Sequence, residues 1–170
     1  MKLDISSKLV WSDIDGLEYS DEQLKKIMLK YVNQGGKVYV GTDSQLFPNK
    51  CNFVTVIAFH DIDQRVARYF FKKFKVDATK FNNLSAKILK EVELAIQTAQ
   101  IVNDMCKEAE IELHIDIGTA EKNKTSQFFK MISGWVTSTG YDLRVKPRSW
   151  ASSLADTHTK SKKIKSKRQL

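Results

Sequence analysis

KVYVGTDSQ, residues 37–45, reads as a β-strand that delivers an acid, Asp43, at its end. Its β-branched and aromatic residues favour extended backbone, and the preceding Gly35-Gly36 is a helix stop. Two further strand-forming runs follow, Cys51–His60 and Arg65–Val76, joined by short polar turns. The three are expected to form an antiparallel meander. Upstream, Ser20-Asp-Glu-Gln23 has the capping-box pattern that opens a helix, here over about Asp21–Asn33. Residues 1–19 read as irregular, with Trp11 as an anchor onto the body.

Downstream, Leu84, Ile88, Val92, Ala95, Ala99 and Val102 recur at steps of three and four, which predicts a long helix over about Leu84–Lys107. A strand is expected over Glu110–Ile117, a helix over about Thr125–Thr137, and a strand over Tyr141–Lys146 that Pro147 stops. A last helix opens near Ser149. The long helix acts as a crossover that lets the fourth strand lie parallel to the first. The expected fold is α/β: a mixed five-stranded sheet in which three antiparallel strands gain two more through helical crossovers. Helices cover both faces, and one extra helix lies at the N-terminal side. At 170 residues the chain suits one domain, placed over residues 1–160, with a basic tail over 161–170.

Charge is distributed unevenly. The formal net charge is +8. Lys160, Lys162, Lys163, Lys165, Lys167 and Arg168 face no acid in the last residues, so most of the excess sits in the tail. Such a tail attracts phosphates without reading sequence, or serves as a solvated solubility segment. No run of eighteen apolar residues exists, so no membrane-spanning helix is expected. Two cysteines without metal-ligand spacing, Cys51 and Cys106, suit reduced thiols in a cytoplasmic protein.

Three acids are distinguished by where the pattern puts them. Asp43 closes its strand, although Thr-Asp-Ser is also a turn-capping context. On a helical wheel that sets Leu84 at zero, Glu91 falls at about −20°, inside the apolar stripe, whereas Glu93 falls near 180°. A carboxylate aimed at a core is costly unless paired, protonated or metal-bound. In EIELHIDIG, Glu112, His114 and Asp116 share one strand face, which implies a wet or functional surface there. Parallel pairing would bring Asp116 beside Asp43. His114 reads as a structural histidine. Asp156, on the last helix, lies on the side of Ser152, Ser153 and Lys160, where an exposed ion pair with Lys160 is the simplest reading.

YVGTDSQ (39–45), LKEVEL (89–94), HIDIG (114–118), KTSQFF (124–129), KPRSWASS (146–153) and ADTHTK (155–160) together resemble the ribonuclease H-like superfamily, and within it the YkuK-type family of predicted nucleases. The resemblance spans roughly residues 36–160. It implies four catalytic and metal-binding acids: Asp43, Glu91, Asp116 and Asp156. The cofactor it implies is a pair of Mg²⁺ or Mn²⁺ ions about 4 Å apart, and the reaction is hydrolysis of phosphodiester bonds in RNA or DNA. Lys160 and the basic tail would then bind the nucleic acid. The alternative is a non-catalytic nucleic-acid- or ribosome-binding protein on the same scaffold. A small-molecule phosphate enzyme is a third reading, against which stands the lack of a glycine-rich phosphate loop.

Overall fold

The computed structural model describes residues 10–60, 63 and 66–160. The expectations placed on Lys162, Lys163, Lys165, Lys167 and Arg168 lie outside the described residues.

A seven-stranded sheet forms the centre of the molecule. In chain order its strands are β1 (Trp11–Ser12), β2 (Glu18–Tyr19), β3 (Val38–Leu46), β4 (Lys50–His60), β5 (Val66–Asp77), β6 (Ile111–Ile115) and β7 (Asp142–Val145). Across the sheet they run β2-β1-β5-β4-β3-β6-β7. The expected five strands are therefore corrected to seven. The two additions are two-residue strands, and Ser12 pairs with Phe71 of β5. Elements this short carry no periodicity, so residues expected to be irregular joined the sheet edge unseen. Trp11 does anchor there, 1 % exposed, with its indole N–H donating to Asp21 at 3.0 Å.

The expected meander is present: β3 pairs with β4, and β4 with β5, all antiparallel. β6 lies parallel to β3, and β7 parallel to β6. The helices are α1 (Asp21–Asn33), α2 (Leu84–Met105), α3 (Phe129–Ser138) and α4 (Trp150–Thr159). The first two begin at side-chain caps. Ser20 and Gln23 complete the capping box of α1, at 3.2 and 2.9 Å. Asn83 accepts from the backbone N–H of Ala86 at the start of α2. A positive φ of 80° at Gly35 turns the chain away after α1.

Strand alternation divides the core between the two faces of the sheet. Val38, Val40, Ile57, Phe59, Ile111, Leu113 and Ile115 pack with Leu24, Met28, Ile88, Val92, Ile132 and Val136. One face is thus covered by α1, α2 and α3. Tyr39, Val54, Val56 and Ala58 pack with Ala151 and Ala155, so α4 covers the other. At Gly41 the α4 backbone comes so close that a Cβ would lie 2.4 Å from Ser152 N. Only glycine lets helix and strand meet there.

Candidate active site

Asp43, Glu91, Asp116 and Asp156 reach one end of the sheet from four different elements. β3 runs three residues further than expected, to Leu46, so Asp43 sits inside the strand and pairs with Val54 of β4. The parallel pairing of β3 with β6 stops at Gly41 and His114. Two residues further along both chains lie Asp43 and Asp116, side by side where the ladder has ended. Alternation puts Tyr39, Gly41 and Asp43 on the α4 face, and Ser44 on the α2 face. Glu91 comes from α2 and is 6 % exposed, as the helical wheel predicts. Ser44 donates its hydroxyl to Glu91 Oε1 at 2.5 Å. Asp156 is exposed on α4, on the side of the sheet to which Asp43 points.

α4 is held at both ends, and this fixes where Asp156 lies. At its start, the Ala151 N–H donates to His114 Nδ1 at 3.0 Å. Since an amide can only donate, Nδ1 is the acceptor and Nε2 carries the proton, which it gives to Glu112 Oε1 at 2.8 Å. Arg144 closes the arrangement, with Nε 2.7 Å from Glu112 Oε1 and Nη2 3.1 Å from Oε2. At its far end, Asn52 Nδ2 donates to the Thr159 carbonyl at 3.1 Å. The Glu112–His114 part of the β6 face is therefore covered, not wet as expected: His114 is fully buried and Glu112 is 6 % exposed. His114 is structural, as its strand position suggests, and burial holds its pKa below the ordinary 6.5. His158 stacks on Phe71 and meets the Tyr69 hydroxyl at 2.9 Å.

The electrostatics link the four acids. Burial, then the charges of Asp156 and Asp116, push Asp43 up from 3.8 to about 7. A side-chain hydrogen bond with Asp156, which requires the shared proton, acts in the same direction. Burial first, then the charge of Asp43, raises Glu91 from 4.5 to about 8, while Ser44 and Lys87 oppose the rise. These are repelling carboxylates with too little positive charge among them. Asp116 has one cation, Lys146, whose Nζ lies 3.1 Å from Oδ1.

The acids stand in pairs: Glu91 with Ser44, Asp116 with Lys146, Asp43 with Asp156. Among the described residues no three His, Cys, Asp or Glu side chains are gathered closely enough to hold a metal ion as they stand. In kind, the donor set fits Mg²⁺ or Mn²⁺: it is all carboxylate oxygen, without thiol or imidazole, and it carries uncompensated negative charge. Ser44, Lys87 and Lys146 were not foreseen as partners of the site. Strand alternation alone could have placed Lys146 beside Asp116, had β7 been registered against β6. Lys160 is exposed at the end of α4.

The family model described as Ribonuclease H-like matches residues 21–160. YkuK of Bacillus subtilis (strain 168), a protein described as uncharacterised, is 27 % identical over 155 residues, covering 82 % of this chain and 88 % of its own length. Among solved structures, LC11-RNase H1, isolated from compost by a metagenomic approach, superposes with a TM-score of 0.38 and 13 % identity. That match covers 71 % of this chain and 91 % of the other. Among the described residues no helix is long and apolar enough to cross a membrane.

Proposed function

This chain belongs to the ribonuclease H-like family, and from that premise we propose that it is a divalent-metal-dependent nuclease acting on RNA or DNA. The observation that carries the reading is the raising of two acids at one strand end: burial first, then the charges of Asp156 and Asp116 on Asp43, and burial first, then the charges of Asp43 and Asp116 on Glu91. A fold keeps mutually repelling acids at one strand end at a cost in stability, and a bound cation is what offsets it.

Asp43 and Asp116, adjacent where the β3–β6 ladder ends, are the central ligands. Glu91, oriented by the Ser44 hydroxyl, and Asp156, on the rim, are the flanking ones. Mg²⁺ or Mn²⁺ held by these residues supplies an activated water and a stabilised leaving oxygen for in-line displacement at phosphorus. Lys160, with the basic tail residues Lys162, Lys163, Lys165, Lys167 and Arg168, retains the polyanion by charge alone. The nucleic acid is the partner, and the chain acts without a membrane.

One observation favours a second reading, a non-catalytic nucleic-acid- or ribosome-binding protein. The acids stand in pairs, with Glu91 turned to Ser44 and Asp116 to Lys146, instead of converging. Calorimetric titration with Mn²⁺ separates the two. On the nuclease reading the wild type binds Mn²⁺ at about millimolar affinity or tighter, Asp43→Asn and Asp116→Asn both abolish binding, and oligonucleotide cleavage disappears with it. Absence of Mn²⁺ binding, even beside an oligonucleotide, together with nucleic-acid affinity that Asp43→Asn leaves intact, establishes the second reading.

A further inference from the structure

β7 and the residue that follows it carry two cations on the face that β6 turns towards α4. Arg144 and Lys146 alternate with Leu143 and Val145, and parallel pairing places Arg144 beside His114 and Val145 beside Ile115. The next step of that register sets Lys146 beside Asp116. The two cations hold their carboxylates differently. Arg144 grips both oxygens of Glu112, an acid 6 % exposed. Lys146 touches Asp116 through one Nζ at 3.1 Å, with side chains 47 % and 35 % exposed.

The backbone of Lys146 is nonetheless fixed, because its N–H donates to the Ile117 carbonyl at 3.0 Å. The ammonium is thus delivered to Asp116 from a held position, on a flexible four-carbon stem. A single-point ion pair this exposed is weak and exchangeable. The acid it holds is the one that stands beside Asp43 and contributes to raising both Asp43 and Glu91.

We propose that Lys146 is the resident counter-ion of Asp116, which surrenders the carboxylate to the incoming divalent cation and then binds a phosphate of the nucleic acid. The inference rests on the nuclease reading above and gives that site an order of events. While Asp116 is paired with Lys146, its Oδ1 is engaged by the ammonium. A divalent cation at Asp116 repels the ammonium. The strand phosphates are the anions that then arrive at this edge. Arg144 is unsuited to the part, because its fork is committed to Glu112, on which the start of α4 depends through His114.

The test is Mn²⁺ titration of Lys146→Met and Lys146→Gln beside the wild type, without nucleic acid. With the competing ammonium removed, Mn²⁺ binds about two- to fivefold tighter. With Mn²⁺ bound and a non-hydrolysable single-stranded oligonucleotide, the same change lowers the salt slope of oligonucleotide binding by about one. Unchanged or weaker Mn²⁺ affinity in both variants, with the wild type binding normally, overturns the inference and leaves the nuclease reading standing. No Mn²⁺ binding by any of the three proteins overturns both. Thermal melting of each variant confirms that it is folded, and two replacements of different polarity keep a single failure from deciding the outcome.

Discussion

Glu112 and Asp116 lie four residues apart at one strand, each facing a cation on or just past β7, yet one belongs to a finished charge network and the other to an unfinished one. Glu112 has its oxygens taken by Arg144 and His114, and the start of α4 seals it from water. Among the described residues Asp116 has one exposed ion pair, and its charge acts on two acids, Asp43 and Glu91. The contrast teaches which polar groups serve folding and which are held for something else. A buried polar network stabilises only when every member is satisfied. A cluster that stays unsatisfied and charged costs stability, and stability spent at one place is a mark of function.

The largest expected effects separate the two carboxylates directly. Asp116→Asn, like Asp43→Asn, should lower metal-dependent cleavage about 10³-fold, the loss of several kcal/mol of charge stabilisation. Its unfolding free energy should stay within about 0.5 kcal/mol of wild type or rise. Glu112→Leu should do the reverse. It strands the buried Nε2–H of His114 and half-exposed Arg144, and should cost about 2–3 kcal/mol in chemical denaturation. Its Mn²⁺ affinity per folded molecule should be that of wild type. If Glu112→Leu lost Mn²⁺ binding while still folded, the division between the two regions would be wrong.

What could be read from the residues follows the same division. Periodicity located α1 and α2 to within two residues at each end, because capping at Ser20 and Asn83 agrees with the apolar spacing. The helical wheel found Glu91, since an acid inside an apolar stripe contradicts its surroundings. Strand alternation placed Asp116 on the face of Asp43, which β3–β6 pairing then aligned. Asp156 carries no such contradiction. On its helix it looks like any exposed acid, and only resemblance to a family pointed to it. Ser44 and the Glu112–His114–Ala151 contact were illegible for another reason. They join residues 47 and 37 positions apart: the first is decided by how α2 meets β3, the second by how closely α4 packs on Gly41. Of the face expected to be wet or functional, the Glu112–His114 part is dry because that packing covers it.

Glu91 allows a smaller and sharper test. Glu91→Gln keeps an acceptor for the Ser44 hydroxyl while removing a buried charge that Asp43 repels. In metal-free protein at pH 8 it should add about 1–2 kcal/mol of stability, a rise of roughly 2–8 °C in Tm. With saturating Mn²⁺ the order should invert, because the wild type then gains a ligand the variant lacks. A destabilised Glu91→Gln in metal-free protein would mean that Glu91 is satisfied as it stands, and would move it from the unfinished group to the finished one.

The two regions should also titrate in opposite directions. Asp43 and Glu91 have folded pKa values raised to about 7 and about 8, so the native state holds protons that the unfolded chain has already lost. Their contribution is fully present below their ordinary 3.8 and 4.5 and is lost as pH rises through 7 to 8. His114 has a folded pKa held below its ordinary 6.5, so the unfolded chain gains a proton that the native state refuses. Its contribution is present above 6.5 and is lost as pH falls, and a proton forced onto Nδ1 would leave two N–H groups facing each other at the start of α4. Metal-free protein should therefore show a stability maximum on the acid side of neutrality, with one limb belonging to each region. Mn²⁺ should lift the alkaline limb and leave the acid limb unchanged. His114→Gln should flatten the acid limb alone, by about 1 kcal/mol or less, the worth of one helix cap. Denaturation curves from pH 5 to 9, with and without Mn²⁺, measure both limbs at once, and a Mn²⁺ effect of equal size on both would show that the finished network and the open cluster are one coupled unit.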